Sequence, residues 1–341
     1  MAIRLIRTTL IVALSACIPT DHARARVIEI SPGQDYRSVL RKLEPGDELV
    51  FLPGEHHLPA KVRVSGTPEK PILLRGRPDS AGRLPEITWT QRGENTWDVY
   101  GKYLRISDLQ FHSRNHCGMR IREATDIQIQ NCVFRDNGEN DLTVNSGAAA
   151  SVHILHCRFV GGKQTPVYIG NHDGHQVVTD FRFEGNLIDG SRINDANIVG
   201  YGIQLKLNVD GVVRNNLILG TQGPAIMVYG FQDAKTSGKQ LVENNIVVGA
   251  RNSHCIVVGG GPVTVRNNLV IAGDRGGIDV ADYGNRNLLD GIAIIGNVVL
   301  GGDDRWLNVS RHARTPKVER NVKVESVSTI VQQLLPNDQA D

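Results

Sequence analysis

Two residues in the middle of the chain carry side chains that can exchange protons once their surroundings shift them: Lys206 in Gln204-Leu205-Lys206-Leu207-Asn208 and Tyr229 in Val228-Tyr229-Gly230. A lysine freed of its proton is a base, and a phenol is an acid of matching strength. Asn171-His172-Asp173-Gly174-His175 adds His172 as a third group able to act as acid or base, and Asp173 as a weak candidate for a calcium ligand. Arg120, Arg122, Asn145, Tyr168 and Gln204 fall at comparable places in neighbouring segments. Arginines neutralise carboxylates, amides hydrogen-bond hydroxyls, and tyrosine stacks on sugar rings. Together these types suit removal of a proton beside the carboxylate of an acidic sugar. None of the cysteines forms a Cys-x-x-Cys pair, which argues against a zinc ribbon or a thioredoxin-type site.

Such residues need a scaffold that brings distant segments side by side, and an internal repeat supplies one. Short runs of alternating apolar residues end in Asn, two apolar residues and a turn: IQIQNCVF (127–134), FRFEGNLI (181–188), VVRNNLI (212–218), LVENNIV (241–247), VTVRNNLV (263–270) and IAIIGNVV (292–299). Aligning them with VHILHCRF (152–159) predicts one inward column of Asn131, His156, Asn186, Asn216, Asn245, Asn268 and Asn297, hydrogen-bonded along an axis. Each period holds a second strand with period-two alternation. The expected fold is therefore all-β, a single-domain right-handed parallel β-helix over 26–322. Asp35 to Leu43 would be an N-terminal helical cap and 323–341 a C-terminal cap.

Stacking the second strands predicts two outward columns. One reads Arg122, Asn145, Gly170, Lys206, Tyr229, Gly259 and Ala281; the other reads Arg120, Thr143, Tyr168, Gln204, Met227, Val257 and Asp279. Cys132 and Cys157 fall at equivalent places, close enough for a disulfide, with two stacked small residues as the plainer expectation.

The 341 residues carry Lys+Arg 38 against Asp+Glu 36. Arg4, Arg7 and Arg24 against Asp21 lie in the first 25 residues, so the remainder is formally neutral, which disfavours nucleic acid as a partner. Residues 1–25 read as a signal peptide, with an apolar run over 8–18 and Ala23-Arg24-Ala25 as the cleavage site. Leu14-Ser15-Ala16-Cys17 offers the alternative of a lipoprotein signal ending at Cys17, whose cysteine would carry a lipid anchor. The expected location is periplasmic or secreted, with a membrane-anchored lipoprotein as the alternative.

Pro45-Gly46-Asp47, the phrase Gly66-Thr67-Pro68-Glu69-Lys70-Pro71-Ile72 and the Asn-ended repeats resemble the right-handed parallel β-helix superfamily of pectate lyases, chondroitinase B, β-helical alginate lyases and mannuronate C5-epimerases. The segment around Lys206 resembles the Asn-Lys-Ser strand that holds the base lysine in the chondroitinase B and alginate lyase group. Tyr229 falls where that group has His, and the group's acid arginine has no counterpart. The resemblance implies an exported lyase that cleaves an acidic polysaccharide by β-elimination. Alternatives are a uronate C5-epimerase and a non-catalytic carbohydrate-binding protein. No cofactor is required, calcium is allowed, the partner is an anionic polysaccharide, and a monomer is expected.

Overall fold

The computed structural model describes residues 25–171, 173–175, 177–191, 200–232, 238–283 and 286–325. The leader through residue 24 with Cys17, His172, residues 192–199 and the expected C-terminal cap beyond residue 325 lie outside the described residues. Within them the chain winds into a right-handed parallel β-solenoid whose strands form one 20-stranded and one 11-stranded sheet. Among the described residues the paired strands run parallel and join one coil to the next, for example Val167↔Ile203 and Ile203↔Ile226. A parallel ladder needs a crossover between partners, and here the rest of each coil is that crossover.

Alternation turns one side of each strand inward. Ile127, Ile129, Val152, Ile154, Phe181, Phe183 and Val213 are fully or almost fully buried, while the residues between them face out. The core is aromatic in its first half. Phe111, Phe134 and Phe159 stack on successive coils with ring centres 5.1 and 5.0 Å apart, and aliphatic layers follow. The first coil is closed by Tyr36, fully buried, whose hydroxyl accepts from Trp97 Nε1 at 3.1 Å. The cap helix is shorter than the sequence suggests, a single turn over Arg37–Leu40. Within the expected 35–43 span Tyr36, Leu40 and Leu43 are buried in the core and Val39 packs against it, and the single turn over Arg37–Leu40 suffices to place them.

The inward polar column is an asparagine ladder. Asn186, Asn216, Asn245, Asn268 and Asn297 each donate Nδ2 to the Oδ1 of the next, ending on Asn321, at 2.9 to 3.2 Å. The same oxygens accept the backbone N–H of the preceding coil's asparagine. Asn131 and His156 do not belong to it. They stand one residue earlier, in a left-handed turn column with φ of 54° and 53° that continues through Asn215, Asn244 and Asn267. In each Asn-Asn pair the first residue serves the turn, because asparagine tolerates that conformation, and the second serves the ladder. Cys132 and Cys157 occupy the ladder position instead. They are free thiols, buried, donating to the carbonyls of Gln130 and Leu155 at 3.4 and 3.3 Å.

Candidate functional site

The strand register fixes one outward column as Lys61, Asp98, Arg120, Thr143, Tyr168, Gln204, Met227, Val257, Asp279 and Asn308. This extends the expected column by one coil or more at each end. Beside it, Lys206 and Tyr229 follow the paired residues Leu205 and Val228. An irregularity between Val144 and Ser146 pairs Ser146, not Asn145, with Arg122.

Lys206 is only 6% exposed although it points away from the solenoid core. It is covered because the outer face carries a small apolar cluster of its own: Leu207, Met227, Tyr229 and Val257, with Tyr201 and Leu288 packed against it. Two turns fold over this cluster. Asn171 bridges to Leu207, and Asn208 holds both flanks, donating to Gly174 O at 2.7 Å and accepting from Gln232 N at 3.0 Å. Gly170, at φ 82°, keeps the space above Lys206 open; a Cβ there would stand 2.6 Å from the Val209 side chain and 3.2 Å from Lys206 Cβ.

Two tyrosine rings flank the amine. Lys206 Nζ is 4.1 Å from the Tyr229 ring centre and 5.3 Å from that of Tyr168. Among the described residues no carboxylate forms an ion pair with it. Burial, and then the nearby Arg286 charge, lower its pKa to about 8. Arg286 also lies over the Tyr229 ring, 5.8 Å from its centre. Tyr229 is 9% exposed, and burial and a hydrogen bond with Tyr201 raise its pKa. Tyr168 is half-buried, its pKa raised by burial and then by Asp173.

Downstream, Asp279 is 4% exposed and accepts from Asn308 Nδ2 at 2.6 Å and the Tyr283 hydroxyl at 3.2 Å. His254 Nδ1 is 3.8 Å from the same carboxylate. Burial and the Asp279 charge push the Tyr283 phenol up to about 12. Upstream, Arg122 donates Nε to Asp98 at 2.9 Å and Nη1 to Ser146 at 3.1 Å, and Tyr100 stands between Arg63 and Arg122 at 3.8 and 6.0 Å. Arg120 Nη2 reaches Cys117 Sγ at 3.7 Å.

Of the residues expected from sequence, the structure brings Lys206, Tyr229, Tyr168 and Gln204 together. Gln204 is 3% exposed and lies beneath the surface. Arg120 and Arg122 stand further up the same face, Arg122 already engaged by Asp98, and Asn145 is displaced by the strand irregularity. Asp173 accepts from His175 N at 2.9 Å within its turn, and no cluster of three or more metal-ligating residues occurs among the described residues. No helix among them is long and apolar enough to cross a membrane. Sequence reasoning missed Arg286, Tyr201 and Tyr283. They sit on turns that leave the repeat, where no periodicity marks them; the one signal was the aromatic in Gly200-Tyr201-Gly202 just before the Lys206 strand.

Residues 87–183 and 171–299 match the family described as "Right handed beta helix region". No curated protein matches the chain. Among solved structures, an alginate lyase from Paenibacillus sp. str. FPU-7 superposes with a TM-score of 0.57 at 18% identity, over 88% of this chain and 96% of that one. The Dettilon tailspike protein gives 0.54 at 12% identity, over 87% and 58%. The catalytic domain of a GH87 alpha-1,3-glucanase in complex with nigerose gives 0.53 at 11%, over 88% and 66%. At these identities the likeness is one of fold.

Proposed function

This chain belongs to the right-handed parallel β-helix family, and from that premise we propose that it is an exported lyase acting on an acidic, uronate-containing polysaccharide. The observation that carries the reading is Lys206, a buried amine with no carboxylate partner among the described residues, held on the outer face between two tyrosines. A buried unpaired lysine costs stability, and such groups gather at functional sites. The chain's similarity in fold to an alginate lyase along 96% of that protein supports the substrate class. Export rests on the leader-like first 25 residues.

In this reading Arg286 neutralises the uronate carboxylate, which acidifies the proton on C5. Lys206, uncharged, takes that proton. The electron pair left on C5 forms the C4–C5 double bond, the C4–O4 bond breaks, and O4 leaves with a proton from a tyrosine. Tyr229 is the donor expected from sequence, but its hydroxyl is committed to Tyr201 and nearly buried; Tyr168, more exposed and on the other side of Lys206, favours itself as the donor. The lysine's ammonium returns its proton to the phenolate so formed, directly or by way of solvent, which restores both groups.

The test is incubation with alginate, pectate, glucuronan and glycosaminoglycans while following absorbance at about 235 nm, where the unsaturated product absorbs. A rise that Lys206→Ala abolishes supports elimination. No rise, with deuterium entering the polymer from heavy water, would assign C5 epimerisation instead; neither signal leaves a binding protein.

A further inference from the structure

The outer face continues past Tyr229. Gly259 takes the place that Tyr229 holds one coil earlier, two coils and roughly 10 Å along the axis from Lys206. Having no side chain, Gly259 leaves a seat for Tyr283: a Cβ there would stand 3.3 Å from Met227 Cε and 3.4 Å from Tyr283 Cβ. Tyr283 belongs to the turn after Val280, which folds back toward the Lys206 coil. Leu288 lies against Gly260, where a Cβ would stand 2.9 Å from Leu288 Cβ. Asp282 holds the turn, its Oδ1 accepting from Arg286 N at 2.8 Å and its Oδ2 from Asn287 N at 3.0 Å. One turn thus carries both Arg286, over the Tyr229 ring, and Tyr283, one coil beyond it.

Tyr229 is nearly buried, but Tyr283 is 39% exposed. Its hydroxyl points inward, donating to Asp279 Oδ2 at 3.2 Å, and Asn308 Nδ2 holds the other oxygen of that buried carboxylate at 2.6 Å. With the hydroxyl so engaged, it is the ring that meets solvent. A tethered ring loses little freedom when a flat partner covers it, and it buries a large apolar area in doing so.

We infer that Tyr283 is a second sugar-binding site on this face, a platform for a pyranose of the same polymer beyond the one at Lys206. The inference rests on the polysaccharide reading above and adds to it a subsite and a chain length. The columns beneath the ring read Met227, Val257, Asp279 and Tyr229, Gly259, Ala281, with neither Lys nor Arg, whereas Arg120 and Arg122 stand on the coils before Lys206. The platform therefore takes the C–H face of a sugar ring rather than a carboxylate. A pyranose advances an extended chain by roughly one coil spacing, so the ring meets about the second sugar on from the reacting one.

Affinity electrophoresis in gels containing alginate, pectate, glucuronan or a glycosaminoglycan tests it, with Lys206→Ala as the parent protein so that the polymer stays intact. One of the polymers is expected to retard the parent. Adding Tyr283→Ala should raise the dissociation constant about three- to tenfold, while Tyr283→Phe, which keeps the ring, stays within about twofold. Size-defined oligosaccharides of that polymer should show a step in affinity once they reach the platform, and the step should be absent in Tyr283→Ala. With Lys206 in place, Tyr283→Ala should raise KM more than it lowers kcat. Retardation unchanged in Tyr283→Ala overturns the inference, as does no retardation by any of the four polymers. Equal losses in Tyr283→Ala and Tyr283→Phe also overturn it, because the hydroxyl's hold on the turn would then be what matters. The two readings fail separately. Retardation that depends on the Tyr283 ring, without a rise at about 235 nm from the protein with Lys206, supports the subsite and overturns elimination. A rise with retardation indifferent to Tyr283 does the reverse.

Discussion

The Lys206 ammonium stands 4.1 Å from the centre of the Tyr229 ring, on an aromatic face rather than beside a carboxylate. A ring quadrupole attracts a cation but compensates only part of the hydration that burial removes. The amine is thus held near the midpoint of its titration at mildly alkaline pH, with its pKa at about 8.

That position has a cost in stability with a defined pH window. The folded-state pKa of about 8 lies below the ordinary 10.5, so below pH 8 the folded protein must keep a charge that it disfavours. As pH rises from 8 to 10.5 the penalty is relieved, because the folded state sheds its proton first. Lys206→Met should therefore be more stable than wild type at pH 7, by about 2 kcal/mol, with the gain fading above pH 8. Urea melts at pH 7 and pH 10 measure it; an equal gain at both would refute the burial argument.

The two tyrosines make separable predictions. With Tyr168 as the proton donor, Tyr168→Phe lowers kcat by about 10²- to 10⁴-fold, whereas Tyr229→Phe and Tyr201→Phe cost about tenfold or less through packing. A reversed order, read from initial rates on the polymer that gives the signal at about 235 nm, assigns the donor to Tyr229.

Arg286 lowers the Lys206 pKa by its charge. Arg286→Met removes that charge, so the acid limb of the rate profile should move to higher pH, by up to about one unit. Because the same guanidinium is the proposed carboxylate partner, KM should rise as well. An unchanged acid limb with a raised KM would separate the two roles and leave only the second.

Asp141 gives a prediction away from the site. It is fully buried, Asn137 donates to its Oδ1, and burial pushes its pKa up to about 7 from an ordinary 3.8. Between these values the folded protein holds a proton that the unfolded chain has lost, so stability falls as pH rises through this window and levels off above 7. The slope from this group is at most about 1.4 kcal/mol per pH unit. Asp141→Asn should flatten that part of the stability profile and be the more stable protein at pH 8. A profile that keeps the wild-type slope between pH 5 and 7 would locate the proton elsewhere.

What could be read from the sequence was what repeats. The alternation of Ile127 with Ile129, or of Phe181 with Phe183, fixes inside and outside, and stacking then places Tyr168, Lys206 and Tyr229 on adjoining coils. The Asn131 and His156 alignment slipped by one residue because two different demands favour the same amino acid: a left-handed turn and a ladder of amides. Where both positions are Asn, as in Asn215-Asn216, the sequence does not show which is which; Gly185-Asn186 and Gly296-Asn297, with glycine at the turn and asparagine in the ladder, reveal the offset, as do the cysteines at 132 and 157. Arg286 and Tyr283 were invisible for another reason, and Tyr201 was marked only by its place in Gly200-Tyr201-Gly202. They enter the site from turns, and a turn's direction is set by contacts such as those Asn208 makes with Gly174 and Gln232, which no period encodes.

The asparagine ladder joins coils separated by 23 residues as readily as coils separated by 30. Each rung fixes the stacking at one corner and leaves the length of the remaining loop open. Segments can therefore lengthen or shorten between rungs without disturbing the layers beneath, and the chemistry on the outer face can be rewritten turn by turn while the spine stays unaltered. Evolution has in this corner a hinge on which new specificities can be hung, with the core insulated from the experiment.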